Sequence, residues 1–254
     1  MNLKKMLVGG IFVVLGGTGM AIPAHAKECA LNQSKFDVLL SADDSQNYFQ
    51  RLKEELVLRK ELISNTIACS VEEASALRAR VDKPGDSQIK EVGRKISELL
   101  GNAIGYYNLQ LTKVPDLGLE GSRYFAKDLL VWRRGNYAPI AKTALNFIVW
   151  SENQSLVRTA KNRLDQIGGA VTILKLIENE SVQKKWEEAG KLFNAAATEN
   201  KNARLNLENL DSPEETLASI KLSLKNLSDT YTMLSDLVTE INDLTSKIKQ
   251  PEEK

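Results

Sequence analysis

Histidine is the side chain most often asked to move a proton near neutral pH, and this chain has one, His25. It lies in an N-terminal stretch whose features predict removal, so the mature chain would carry none. That excludes Ser-His-Asp and Cys-His mechanisms, the Glu-x-x-His di-iron sites of ferritin-like bundles and histidine-ligated zinc. S-x-x-K matches occur, among them Ser181 with Lys184 and Ser246 with Lys249. Neither has companion S-D-N or K-T-G motifs, and a chain rich in Ser and Lys produces such matches by chance. Carboxylates are plentiful, yet an acid pair of the glycosidase kind needs a cleft that desolvates one of them. The acidic residues here fall mostly on outer helix faces. Glycine-rich phosphate loops and the alternating acidic spacing of calcium loops are absent. The expectation is a protein without catalytic residues, metal or cofactor.

Binding chemistry has a better candidate. Tyr124, Phe125, Trp132, Tyr137, Phe147 and Trp150 lie within 27 positions and make six of the fifteen aromatics in the chain. Arg133 and Arg134 stand beside a Gly-Asn pair in the same stretch. Trp and Arg are enriched where proteins grip one another, so Trp132, Arg133, Arg134, Tyr137 and Trp150 are the candidate interaction residues. A hairpin buried in the thickest part of a bundle would account for the same composition.

Two cysteines, Cys29 and Cys69, complete the reactive inventory. In an oxidising compartment an isolated pair reads as a structural disulfide. Closing it requires the leader after Cys29 to fold back along the helix that ends near Cys69.

The compartment is read from the N-terminus. Lys4 and Lys5 precede an uncharged apolar run from Met6 to about Ile22, which ends at Pro23-Ala24-His25-Ala26. A positive start, an apolar middle and small residues two apart form a secretory signal, expected to be cleaved after Ala26. An uncleaved anchor is the alternative, but five glycines and Pro23 suit a permanent helix poorly. Residues 27–43 read as a loosely ordered leader and 44–250 as one helical domain. Without its signal the chain moves from a formal charge of +1 to −1, losing Lys4 and Lys5. No bulk basic field remains to favour nucleic acid. The chain is expected to be exported by a bacterium, into a periplasm or out of the cell.

The elements that must position these residues are helices. Apolar residues recur in threes and fours, no segment alternates in twos, and the composition favours helix over sheet. Breakers divide the chain into segments near 44–68, 70–82, 87–113, 120–134, 139–151, 154–178, 180–209 and 213–249. In the last, Ser212 is placed to cap, Pro213 to occupy the first turn and Glu215 to close a capping box. Its stripe reads Leu217, Ile220, Leu224, Leu227, Tyr231, Leu234, Val238 and Ile241. The segment before it reads Val182, Trp186, Ala189, Phe193, Ala196, Asn200, Ala203, Leu207 and Leu210, with Asn200 a polar residue able to fix register. Further stripes run Val157 to Leu174 and Ile89 to Tyr106 or Tyr107. Such seams are buried only against other helices. The expected fold is all-α, an elongated antiparallel helical bundle with long coiled-coil-like helices.

This reading favours a non-enzymatic exported binding or scaffold protein that presents a helical surface to a protein partner or to its own copy. Two others stand beside it: a small-ligand binder with an interhelical pocket near Trp132 and Trp150, and a membrane-active protein releasing residues 138–150.

Overall fold

The computed structural model describes residues 48–249, and among these every regular element is helical. Helix α1 runs Tyr48–Asp82, α2 Ser87–Leu111 and α3 Leu119–Trp132; α4 runs Ala138–Ile173, α5 Glu180–Asn209 and α6 Pro213–Lys249. Short 3-10 turns, Val114–Asp116 and Leu176–Glu178, lead into α3 and α5, and a single π turn, Arg133–Tyr137, separates α3 from α4. The all-α helical bundle is therefore what the chain forms. The expected signal sequence, the expected leader and Cys29 lie outside the described residues.

Two of the expected breaks do not occur. Helix α1 passes through Cys69 and Ser70 without interruption. The Ser70 hydroxyl donates to the Thr66 carbonyl one turn back at 2.8 Å, which satisfies it inside the helix. Helix α4 likewise continues through Ser151-Glu152-Asn153. Ser151 bonds back to the Ile148 carbonyl at 2.9 Å and Gln154 to that of Trp150 at 2.8 Å. Neither stretch holds the Gly or Pro that would end a helix, and weak propensity yields to packing.

The real breaks are capped. The Asp86 carboxylate accepts from the Gln88 and Ile89 amides at 2.9 and 3.3 Å, opening α2. Asn179 accepts from Val182 N at 3.1 Å, opening α5. Ser212 caps α6 as expected, its hydroxyl accepting from Glu215 N at 3.4 Å and donating to the Glu214 carboxylate, but the second half of the capping box, the Ser212 amide on the Glu215 carboxylate, does not form. Two corners are turned by residues other than glycine in the left-handed region, Lys175 at φ 53° and Leu210 at φ 59°.

The described residues divide into two compact units between Leu145 and Asn146. In the unit preceding that boundary, α1 packs against α2 and α3. Ile63, Ile67, Ala74, Leu77 and Val81 of α1 are buried, as are Val92, Ile96, Leu100, Ala103 and Tyr107 of α2. Leu100 and Tyr107 take the inward places, while Leu99 and Tyr106 are half-buried.

The unit after the boundary is built on the α5–α6 seam. Helix α6 buries Ile220, Leu227, Leu234 and Ile241, as its stripe predicts. The alternate layers differ: Thr216, Ser223, Thr230 and Leu237 are buried, one residue before each of Leu217, Leu224, Tyr231 and Val238. The cause is the facing helix. Helix α5 buries Val182, Ala189, Ala196 and Ala203 at intervals of seven. The Ser223 hydroxyl donates to the Ala196 carbonyl across the seam at 2.9 Å. Counting by heptads from that contact in an antiparallel pair sets Thr216 by Ala203, Thr230 by Ala189 and Leu237 by Val182. Small residues meet small residues, so the backbones come close, and the larger Leu224 and Tyr231 pack along the flank against α4 and α5.

Helix α4 closes this core with Ala160, Leu164 and Val171. Gly168 is one of two places where a missing side chain matters here. A β-carbon on it would lie 2.6 Å from the Trp186 ring, so the ring packs directly on the α4 backbone. The other is Gly101, whose bare backbone leaves room for the Arg78 guanidinium. Asn200 pairs its side-chain amide reciprocally with Gln154, at 3.0 and 3.1 Å. Its backbone carbonyl accepts from the Trp150 indole at 3.2 Å.

Candidate functional site

The π turn organises the candidate site. Pro139 has no N–H to give to the carbonyl four residues earlier, and its ring would crowd that carbonyl. Widening one turn relieves the conflict: the Ala138 amide bonds to the Arg133 carbonyl, five residues back. The sequence marks this stretch as a break, and the chain absorbs it as one wide turn instead. Such turns are rare and gather at functional sites. Arg133 and Tyr137 then stack, with the guanidinium carbon 5.0 Å from the ring centroid.

Around that pair the first unit assembles four rings. Tyr106 and Trp132 lie face to face, centroids 3.7 Å apart and planes 12° from parallel. Tyr107 meets Trp132 edge-on at 5.2 Å and Tyr137 edge-on at 5.7 Å. Tyr107 and Tyr137 are fully buried, whereas the Tyr106–Trp132 stack is half-exposed. The arrangement is a two-ring platform at the surface with two more rings as its floor.

Arg133 ties the floor to α1. It donates to the Ser70 hydroxyl at 2.9 Å and to a Glu73 carboxylate oxygen at 2.6 Å. Partial burial works against its charge, but the hydrogen bond and charge of Glu73 more than offset that, and its pKa moves upward. Burial pushes the Tyr137 phenol well above the ordinary phenol range, and the Glu73 carboxylate adds to the rise while Arg133 opposes it. The hydroxyls of Tyr107 and Tyr137 are buried without an aligned hydrogen bond. Both rings are held by packing and by the cation, not by their polar tips.

Of the expected interaction residues, the structure brings Trp132, Arg133 and Tyr137 together. Arg134, next in the chain, is exposed. Trp150 belongs to the other unit, where it is buried beside Phe147 at 6.0 Å with its N–H bonded to α5. Its role there is packing. Ala141, Ala144, Phe147 and Ile148, within the stretch considered for membrane contact, are buried as well. No helix among the described residues is long and apolar enough to cross a membrane. Cys69 is half-buried on α1, next to the Ser70 that receives Arg133.

Sequence reasoning missed Tyr106, Tyr107, Ser70 and Glu73. The Tyr-Tyr pair closing the α2 stripe was the available signal, since one ring of an adjacent pair must leave the seam. Ser70 and Glu73 carry no local mark, and only the packing of α1 on the π turn singles them out. Comparison with protein-family models, with characterised proteins and with solved structures finds no match to this chain.

Proposed function

We propose that this is an exported, non-enzymatic helical binding protein that docks a protein partner on the Trp132–Tyr106 platform. The carrying observation is the half-exposed stack itself, whose rings are fixed before any partner arrives. Tyr107 and Tyr137 lie beneath it, and Arg133 anchors it to Ser70 and Glu73. A large ring that needs no ordering on binding loses little entropy, which is why Trp and Tyr recur as interface anchors. Export is supported by Lys4, Lys5, the apolar run and Ala24 with Ala26. The same compartment would allow a Cys29–Cys69 bond.

The test is affinity capture from the envelope and medium of the producing cell, using the processed protein as bait. Trp132→Ala and Tyr106→Ala should each weaken capture of the partner by about tenfold or more, with Arg134→Ala as a neighbouring comparison. Equal capture by wild type, Trp132→Ala and Arg134→Ala would remove the platform from the binding surface. A mature N-terminus that retains the first twenty residues would remove export by signal cleavage.

A further inference from the structure

Helix α1 carries a second apolar line besides the one it gives to the core. Leu58, Leu62 and Cys69, spaced four and seven, fall on one flank, about a third of a turn around from Ile63, Ile67, Ser70 and Ala74. All three are half-buried, whereas Val57 on the opposite flank is 63% exposed. Leucines outside a helix's core line call for a cover of their own.

The chain ahead of α1 repeats that spacing in reverse, with Cys29, Phe36 and Leu40 spaced seven and four. Laid antiparallel on α1 with Cys29 at Cys69, an equal rise per residue brings Phe36 to Leu62 and Leu40 to Leu58. Ser41, Asp43, Asp44, Ser45 and Asn47 then supply residue types that reverse a chain before Tyr48. The lengths agree. From Tyr48 to Cys69 the helix rises about 32 Å. The chain from Cys29 to Tyr48 reaches about 28 Å as one unbroken helix and about 63–68 Å fully extended. A helical stretch followed by a turn closes the span.

We infer that residues 29–40 form a strap on this flank of α1, tied by a Cys29–Cys69 disulfide and covering Leu62 and Leu58 with Phe36 and Leu40. The tie rests on the export reading, because an oxidising compartment is where it forms; the apolar match does not. The two thiols lose two protons and two electrons, passed by exchange to a disulfide of that compartment, which leaves as two thiols. Cys69 is one residue from Ser70, which accepts from Arg133, so strap and platform share a turn of α1.

The test uses the processed protein oxidised in vitro with glutathione disulfide. Failure of export, read separately from the mature N-terminus, therefore leaves its outcomes untouched. Non-reducing peptide mapping should join Cys29 to Cys69, and trypsin should cut slowly after Lys35. Leu40→Asp and Leu58→Asp should each speed that cut roughly tenfold with unchanged helical circular dichroism, while Val57→Asp leaves it as in wild type. Register is read in a chain carrying Cys29→Ser and Cys69→Ser. There Phe36→Cys with Leu62→Cys should cross-link on oxidation, and Phe36→Cys with Val57→Cys should not. The strap is overturned if Cys29 and Cys69 stay unjoined, or if wild type is cut after Lys35 as fast as both Asp variants. Cross-linking of position 36 to 57 as readily as to 62 would overturn it as well.

Discussion

The α5–α6 seam and the ring cluster at the π turn solve the burial problem in opposite ways. Along the seam the contacts are small: Ala189, Ala196 and Ala203 on one side, Thr216, Ser223 and Thr230 on the other. They repeat by heptads, and the hydroxyls are satisfied by backbone carbonyls. Thr216 bonds to Ser212 at 3.0 Å, Ser223 to Ala196 at 2.9 Å and Thr230 to Asn226 at 2.7 Å. At the π turn the contacts are large and unrepeated, and two buried hydroxyls lack aligned partners. A repeated seam distributes its stabilisation, so each layer counts modestly and its register is marked by the bond of Ser223 to Ala196. A ring cluster concentrates stabilisation in a few side chains and leaves part of them at the surface. The first design suits a scaffold, the second a contact point.

The contrast can be broken most forcefully at Tyr107. Its ring touches Tyr106, Trp132 and Tyr137, so Tyr107→Ala should cost about 3–5 kcal/mol in urea unfolding. Tyr107→Phe should fall within about 1 kcal/mol of wild type, since it removes a buried hydroxyl with no aligned hydrogen bond. A large loss in the Phe variant would show that the polar tip, not the ring, holds the cluster.

Next in size is the small-residue seam. Ala196→Leu should cost about 2–3 kcal/mol, because extra methylenes must push apart helices that Ser223 holds close. A neutral result, measured by the same unfolding curve, would mean the seam is looser than its register implies.

A smaller effect follows from Tyr137. Its folded pKa lies above the unfolded value near 10, so the neutral phenol stabilises the fold. That contribution is complete below pH about 10 and is lost as pH climbs from there toward the folded value. Spectrophotometric titration should show a phenol that ionises late, and Tyr137→Phe should flatten the alkaline loss of stability. A Phe variant with the same alkaline profile would assign that loss to other groups.

The smallest changes are gains. Lys175 and Leu210 hold the left-handed conformation at helix ends, where glycine fits without strain. Lys175→Gly and Leu210→Gly should each stabilise by about 0.5–1 kcal/mol, read as a rise in Tm. Destabilisation by Leu210→Gly would show that its side chain contributes more through packing than its backbone costs.

Much of the fold was legible along the chain. The α2, α5 and α6 starts, the Ser212 cap and the burial of Ile220, Leu227, Leu234 and Ile241 follow from caps and from threes and fours. Ion pairs within a helix follow four-residue spacing only in part: Glu55 joins Arg59, whereas Lys191 lies 3.9 Å from Glu188, three residues back. Of the site, Trp132, Arg133 and Tyr137 were marked by composition, but their partners on α1 and α2 were not.

The amino-acid order by itself determined which stretches are helices and which face of each is apolar, because propensity, capping and periodicity act within a few residues of one another. The tertiary structure alone decided that Thr216, Ser223 and Thr230 take the deep layers, because the room available there is set by the alanines of a different helix. It also decided that a proline conflict becomes a π turn, and that Glu73 and Ser70 hold Arg133. Ser223 meets Ala196 from 27 positions away, and Arg133 meets Ser70 and Glu73 from 63 and 60, and no local pattern encodes such meetings.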